Sequence, residues 1–199
     1  MFRSGGWLLP IFLLSGCAAL VYQVVWQRAL FSIFGIDTTS VTIVIAAFML
    51  GLGIGSHLGG ELSRRYPPLP LFAVFELGIG AFGFFSLAIF DAASHVSLTW
   101  SRGGTALMTF LLVLVPTTLM GATLPLLVAD AAKKTGNVGK SVGTLYFVNT
   151  LGAGAACFLT VYTLFPNVGM SGAVRLAAGM NVLLALSVFA LSRTNEVRS

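Results

Sequence analysis

Residues 105–129 read TALMTFLLVLVPTTLMGATLPLLVA, twenty-five residues without a charge. A helix that spans a bilayer needs about 20 mostly apolar residues. The stretch therefore predicts a transmembrane helix, with Pro116 and Pro125 inside it. Working outward, five further runs of the same kind are found, at about Trp7–Phe31, Thr39–Leu62, Leu69–Asp91, Val142–Phe165 and Gly172–Ser192. The expectation is an all-α, polytopic bundle of six transmembrane helices forming one domain, residues 1–199. The joins carry turn residues: Gly35-Ile36-Asp37, Pro67-Pro68-Leu69-Pro70, Arg102-Gly103-Gly104, Lys133 to Lys140, and Pro166-Asn167.

Composition supports this. The chain is 57% hydrophobic and 9% charged, against roughly a quarter charged in soluble domains. So few charges could not cover the apolar surface of a soluble fold, whereas lipid solvates it directly. The 23 glycines fit, because small residues let membrane helices approach closely. A net charge of +5 would raise nucleic acid as a partner in a soluble protein. Here the basic residues are scattered between apolar runs, so topology explains them and no nucleic acid is expected.

Basic residues near span ends stay cytoplasmic. With the N-terminus inside, the inner segments hold Arg3, Arg64, Arg65, Lys133, Lys134, Lys140, Arg193 and Arg198, and the outer ones Arg28, Arg102 and Arg175. Eight against three predicts both termini in the cytoplasm; the expected location is a bacterial-type inner (cytoplasmic) membrane. Leu14-Ser15-Gly16-Cys17 has the shape of a lipoprotein cleavage box. A lipidated cysteine normally opens a polar segment, however, and Ala18 to Trp26 continue apolar, so an uncleaved first helix is expected. Cys17 and Cys157 have no metal or disulfide spacing and read as buried small hydrophobes.

The halves of the chain match faintly. Leu14–Ala18 compares with Leu119–Thr123, Gly51 and Gly53 with Gly152 and Gly154, and Phe75-Glu76-Leu77 with Met180-Asn181-Val182. A unit of three spans has an odd number of crossings, so its copy would enter inverted, as in many transporters.

Polar groups in a span face the bundle interior or a wet cavity. Glu76 stands about seven residues into the third helix, roughly 10 Å deep at 1.5 Å per residue. It must be protonated, paired, or in contact with water or a cation. Asn149, Thr123 and Asn181 lie deep in helices five, four and six, and Thr117 and Thr118 follow Pro116. A proline removes one intrahelical bond and kinks the helix, and neighbouring helices, threonines or water satisfy the freed carbonyl. These residues predict a polar cavity open to the cytoplasm, with Glu76 as counter-charge and Asn149, Asn181, Thr118 and Thr123 orienting a ligand; helix packing explains them equally simply. A second, outer group is Tyr22, Gln23, Trp26 and Gln27 on helix one, where the Tyr and Trp read as interface anchors. His57 and Glu61 lie one turn apart and supply half a metal site, but no further His or Cys ligand exists. A local His57–Glu61 hydrogen bond is expected, and neither metal nor cofactor. Gly51-x-Gly53-x-Gly55 and Gly152-x-Gly154 sit inside apolar helices and read as packing glycines, not nucleotide loops.

Several segments together carry a resemblance. Residues Leu14 to Arg28 (LSGCAALVYQVVWQR), Gly51 to Gly60 (GLGIGSHLGG), Glu76-Leu77-Gly78, Pro116 to Leu127 (PTTLMGATLPLL) and Leu145 to Ala153 (LYFVNTLGA) resemble, in the same order, the membrane-bound spermidine synthase-like family of fused transporter-like and synthase chains. The resemblance implies a membrane half similar to part of a major-facilitator transporter. It also implies a soluble aminopropyltransferase-like half, which these 199 residues do not contain. The family pattern implies Glu where this chain has Gln23, which weakens cation binding at the outer group, and an acid where it has Arg64. The expectation is a non-enzymatic, transporter-like module for a small polar or cationic, polyamine-related ligand, serving a separately encoded synthase-like partner. The alternative is a membrane anchor or assembly subunit. An intramembrane enzyme lacks any nucleophile–base pair. Six spans make half of a twelve-helix transporter, so a homodimer or another membrane subunit is expected, packed through the glycine faces of helices two and five.

Overall fold

The computed structural model describes residues 6–34, 38–97 and 100–196. They form α1 (Leu8–Phe34), α2 (Thr38–Arg65), α3 (Pro68–Ser97), α4 (Arg102–Thr135), α5 (Val138–Leu159), a π turn (Thr160–Leu164) and α6 (Phe165–Glu196). Among the described residues, five helical stretches are long and apolar enough to cross a membrane. The last, Val138–Ser192, is 55 residues long, so the separate fifth and sixth helices expected from sequence are one helical run here. Pro166 does not end it. The proline falls in the first turn of α6, where a missing N–H is tolerated. The chain instead leaves helical geometry at Gly169, with φ 65° and ψ −175°, a conformation that favours glycine.

The helices outrun the apolar segments that predict them. α2 continues from Leu62 to Arg65, where Arg64 pairs with Glu61 at 3.3 Å, and α4 continues from Ala129 to Thr135, where Lys134 pairs with Asp130 at 2.6 Å. Charge ends the hydropathy signal but not the helix. Ser101 caps α4 by accepting from the Gly104 N–H at 3.2 Å. Gly136, at φ 67°, closes its far end, and Asn137 at once caps α5 by accepting from the Lys140 N–H at 2.9 Å. Both Pro116 and Pro125 lie inside α4, which runs unbroken through them. The Thr117 hydroxyl donates to the Val113 and Leu114 carbonyls and Thr118 to Leu114, within the turn that Pro116 loosens.

Glycines set the helix pairs. A Cβ on Gly51, Gly55 or Gly59 of α2 would meet Thr117, Thr118 or Ala122 of α4 at 2.0, 2.0 or 2.5 Å. On Gly16 of α1 it would meet the Asn149 carbonyl of α5 at 2.3 Å, and on Gly152 the Leu13 carbonyl at 2.1 Å. Residue numbers rise together in both pairs, so α2 runs parallel to α4 and α1 to α5. The glycine faces expected to hold a second subunit are thus spent inside the chain. Gly53, Gly60, Gly143 and Gly154 instead have open space over them.

The core is stratified. One apolar cluster holds Tyr22, Trp26, Phe48, Ile79, Phe90, Val113, Ala156 and Ala177; a second holds Leu8, Phe12, Phe72, Leu126, Leu145, Leu184 and Val188. On α1, α3, α4, α5 and α6 alike, a polar residue stands between the two: Ser15, Glu76, Thr123, Asn149 and Asn181.

Candidate functional site

That polar layer contains the site. Glu76 is fully buried, and both carboxyl oxygens accept hydrogen bonds: Oε1 from the Ser15 hydroxyl at 2.6 Å, Oε2 from the Asn181 amide at 2.5 Å. Asn181 Oδ1 in turn accepts from the Tyr22 hydroxyl at 2.9 Å. Three helices, α1, α3 and α6, therefore meet in one set of side-chain bonds. Burying a carboxyl is costly unless its oxygens are satisfied, and among the described residues no buried side-chain polar atom is left without a partner.

Beside this network lies a cavity of about 270 Å³ bounded by α1, α2, α4, α5 and α6. Its polar lining comes from Ser15, Gln23, Ser56, Thr123, Tyr146, Asn149 and Asn181. Leu52, Ser56 and Tyr146 are exposed, so the mouth lies between α2 and α5. Ser15 and Asn181 separate the cavity from Glu76, which does not line it.

The residues singled out by sequence divide accordingly. Thr123, Asn149 and Asn181 reach the cavity wall. The Asn149 amide donates to the Phe12 carbonyl at 3.1 Å and the Thr123 hydroxyl to the Met120 carbonyl at 2.7 Å. Thr118 does not line the cavity; its hydroxyl is used by Leu114 at 2.8 Å. The outer group splits. Gln23 lines the cavity and Gln27 is half-buried. Tyr22 and Trp26 are fully buried, which overturns their reading as interface anchors. Their rings stack at 5.2 Å, and Trp26 donates to the Ser86 hydroxyl at 2.9 Å. Two polar tips with buried partners make a core position as favourable as an interface.

Other expectations change too. Glu61 pairs with Arg64 rather than with His57, which is exposed. Cys157 is exposed, not buried, while Cys17 is half-buried and its thiol donates to the Gly152 carbonyl at 3.1 Å. Among the described residues no group of three or more His, Cys, Asp or Glu could hold a metal ion.

Sequence reasoning did not single out Ser15, Ser56, Ser86 or Tyr146 as site residues. For Ser15 a signal existed: Ser15, Tyr22 and Trp26 are spaced by seven and four, which puts them on one helix face. No family model, no curated protein and no solved structure matches this chain.

Proposed function

We propose that the chain is a multi-pass, transporter-like membrane module that binds a small polar or cationic ligand in the cavity between α1, α2, α4 and α5. The observation that carries this reading is the polar layer. Ser15, Thr123, Asn149 and Asn181 converge on one cavity between two apolar clusters, with a carboxyl directly behind. Packing needs polar groups to pair with one another; it does not need them to border a space of about 270 Å³.

The proposal includes six crossings, with both termini in the cytoplasm of a bacterial-type inner membrane. The 55-residue stretch Val138–Ser192 would be about 82 Å long as one straight helix at 1.5 Å per residue, against a hydrocarbon core of about 30 Å. A reversal at Gly169 resolves that excess. It also agrees with Ala156 sharing one apolar cluster with Ala177, and Leu145 the other with Leu184.

A three-plus-three inverted repeat is part of the same reading, and contact registers support it. Gly16 against Asn149 and Gly152 against Leu13 have counterparts in Gly121 against Leu52 and Gly55 against Thr118. The offset is 105 from α1 to α4, and 97 from α2 to α5. The α2–α5 equivalence is thereby shifted four residues, one turn, from the pairing of Gly51 with Gly152. Glu76 and Asn181, also 105 apart, touch each other where such a two-fold axis would pass.

The ligand class rests on the donor-poor, acceptor-rich lining, on Glu76, and on the resemblance to the spermidine synthase-like membrane half, which favours a polyamine-related cation. A separately encoded synthase-like partner and a second membrane subunit belong to the same proposal. Equilibrium binding of labelled spermidine to the protein in nanodiscs tests it. Saturable binding that Asn149→Leu abolishes is expected, and absence of saturable binding rejects it. The second reading, a membrane anchor or assembly subunit, is favoured by one observation: the Glu76 network is satisfied entirely within the chain.

A further inference from the structure

The side chains around Glu76 are ordered by direction as well as by contact. Tyr22 donates to Asn181, Asn181 donates to Oε2, and Ser15 donates to Oε1, so every printed bond delivers a proton toward the carboxyl. An ionised carboxylate is acceptor-only and suits this pattern; a protonated one must donate. The two donors differ in what reversal costs them. Asn181 is held by Tyr22 on its other side, and flipping the amide gives up that 2.9 Å bond. Ser15 is a hydroxyl that turns about one bond, and it borders the cavity.

We propose that Glu76 is a proton-binding site loaded from the cavity through Ser15. As a proton arrives at Ser15 Oγ from the cavity, the Ser15 hydroxyl proton passes to Glu76 Oε1. One O–H bond forms on the carboxyl, and Ser15 exchanges one proton for another. Afterwards Oε1–H donates to Ser15 Oγ, and the Ser15 proton points into the cavity. Binding a proton therefore does two things at the cavity wall: it removes the negative charge behind Ser15, and it turns Ser15 from an acceptor into a donor. An ammonium group is donor-only, so it is favoured by the ionised form and opposed by the protonated one. This last consequence rests on the cavity being a ligand site, whereas the proton site does not.

No competing charge faces the carboxyl among the described residues. Of the helices around it, α1 contributes Tyr22 through Asn181, and Arg28, which is exposed and lies over the Phe165 ring at 5.2 Å. On α6, Arg175 is exposed and six residues before Asn181, about 9 Å along the axis. On α4, Asp130 is paired with Lys134 at 2.6 Å, and Lys133 is exposed. On α3 itself, Asp91 and His95 are exposed and 3.8 Å apart.

The test is pH-difference infrared spectroscopy on the full chain in nanodiscs, comparing the protein with Glu76→Gln, Ser15→Ala and Ser15→Thr. A protonated-carboxyl stretch should grow on acidification within roughly pH 9 to 5, the range open to buried glutamates, and be missing in Glu76→Gln. Ser15→Ala should alter its frequency and move its midpoint upward by about one pH unit or more, the size of a lost hydrogen bond to a charged group. Ser15→Thr, which keeps the hydroxyl, should restore both. A spectrum with no Glu76-dependent band in that range overturns the proposal, as does a Ser15→Ala band unchanged in frequency and midpoint. Spermidine added to the intact protein should suppress the band. A titrating band indifferent to spermidine would uphold the proton site while rejecting the cavity as a cation site.

Discussion

Tyr22 on α1 and Asn181 on α6 are 159 residues apart in sequence and joined by a buried hydrogen bond of 2.9 Å. The contact ties the first described helix to the last and orients the amide that holds Glu76. Tyr22→Phe removes the donor and little else, because the ring still stacks on Trp26. Within a membrane such bonds average about 0.6 kcal/mol and reach about 1.7, since the unfolded chain in lipid finds other partners. A loss in that range is expected on unfolding by SDS, and it should be largely absent when Asn181→Leu is already present.

Gly16 and Gly152 should be intolerant, and Gly154 indifferent. A Cβ on either of the first two meets backbone carbonyl oxygen of the facing helix, at 2.3 or 2.1 Å, so α1 and α5 must separate. Alanine at either position should cost about 1–3 kcal/mol, as for other overpacked sites. Gly154 has open space over it, so alanine there should be neutral or gain up to about 1 kcal/mol of helix propensity. Thermal unfolding in detergent ranks the three.

Glu76→Gln and Glu76→Leu should diverge. In the first, the amide oxygen accepts from Asn181 and the amide nitrogen donates to a reversed Ser15, so folding survives. Spermidine binding should weaken by about 1–3 kcal/mol, the scale of a charged partner lost. In the second, Asn181 and Ser15 both lose their acceptor, and assembly itself should suffer. Chromatographic monodispersity and binding, measured together, separate these outcomes. Unchanged binding in Glu76→Gln would remove Glu76 as counter-charge.

Topology reporters placed after Arg65, Lys134 and the C-terminus should all read cytoplasmic, and one after Arg102 external. An external C-terminus would make the crossings odd in number and abolish the reversal proposed at Gly169.

Cys157 should react with a membrane-permeant maleimide well before Cys17. The first is exposed; the second is half-buried, with its thiol committed to the Gly152 carbonyl. Mass spectrometry of briefly labelled protein, with Cys17→Ala as control, checks the order.

The helices were legible because span length and absence of charge act locally. Each expected segment lies within a described helix, and the errors fall at the ends, where Glu61–Arg65 or Ala131–Thr135 continue a helix that hydropathy no longer marks. The candidate polar residues were legible for a similar reason: a carboxyl or carboxamide in an apolar run needs a partner. The identity of the partner was not legible. Glu76 and Asn181 each stood out, but their bond spans 105 residues and depends on how α3 crosses α6. Tyr22 and Trp26 were misplaced because an aromatic stripe reads alike whether it faces headgroups or Ser86 and Asn181. Ser15 was passed over because an isolated serine in a membrane helix carries too little cost to demand explanation.

The π turn at Thr160–Leu164 has a meaning for the history of the chain. A π turn is what remains when one residue is added to an α-helix whose flanks cannot rotate. The Phe165 N–H reaches back to the Thr160 carbonyl, and the surplus residue is absorbed within that wider ring. Had it not been absorbed, everything after it would have turned by about 100°, carrying Phe165 away from the Arg28 guanidinium now 5.2 Å above its ring. Deleting one residue between Val161 and Tyr162 would impose that rotation. The wide turn thus records an insertion that the two ends of the helical run were too well anchored to follow.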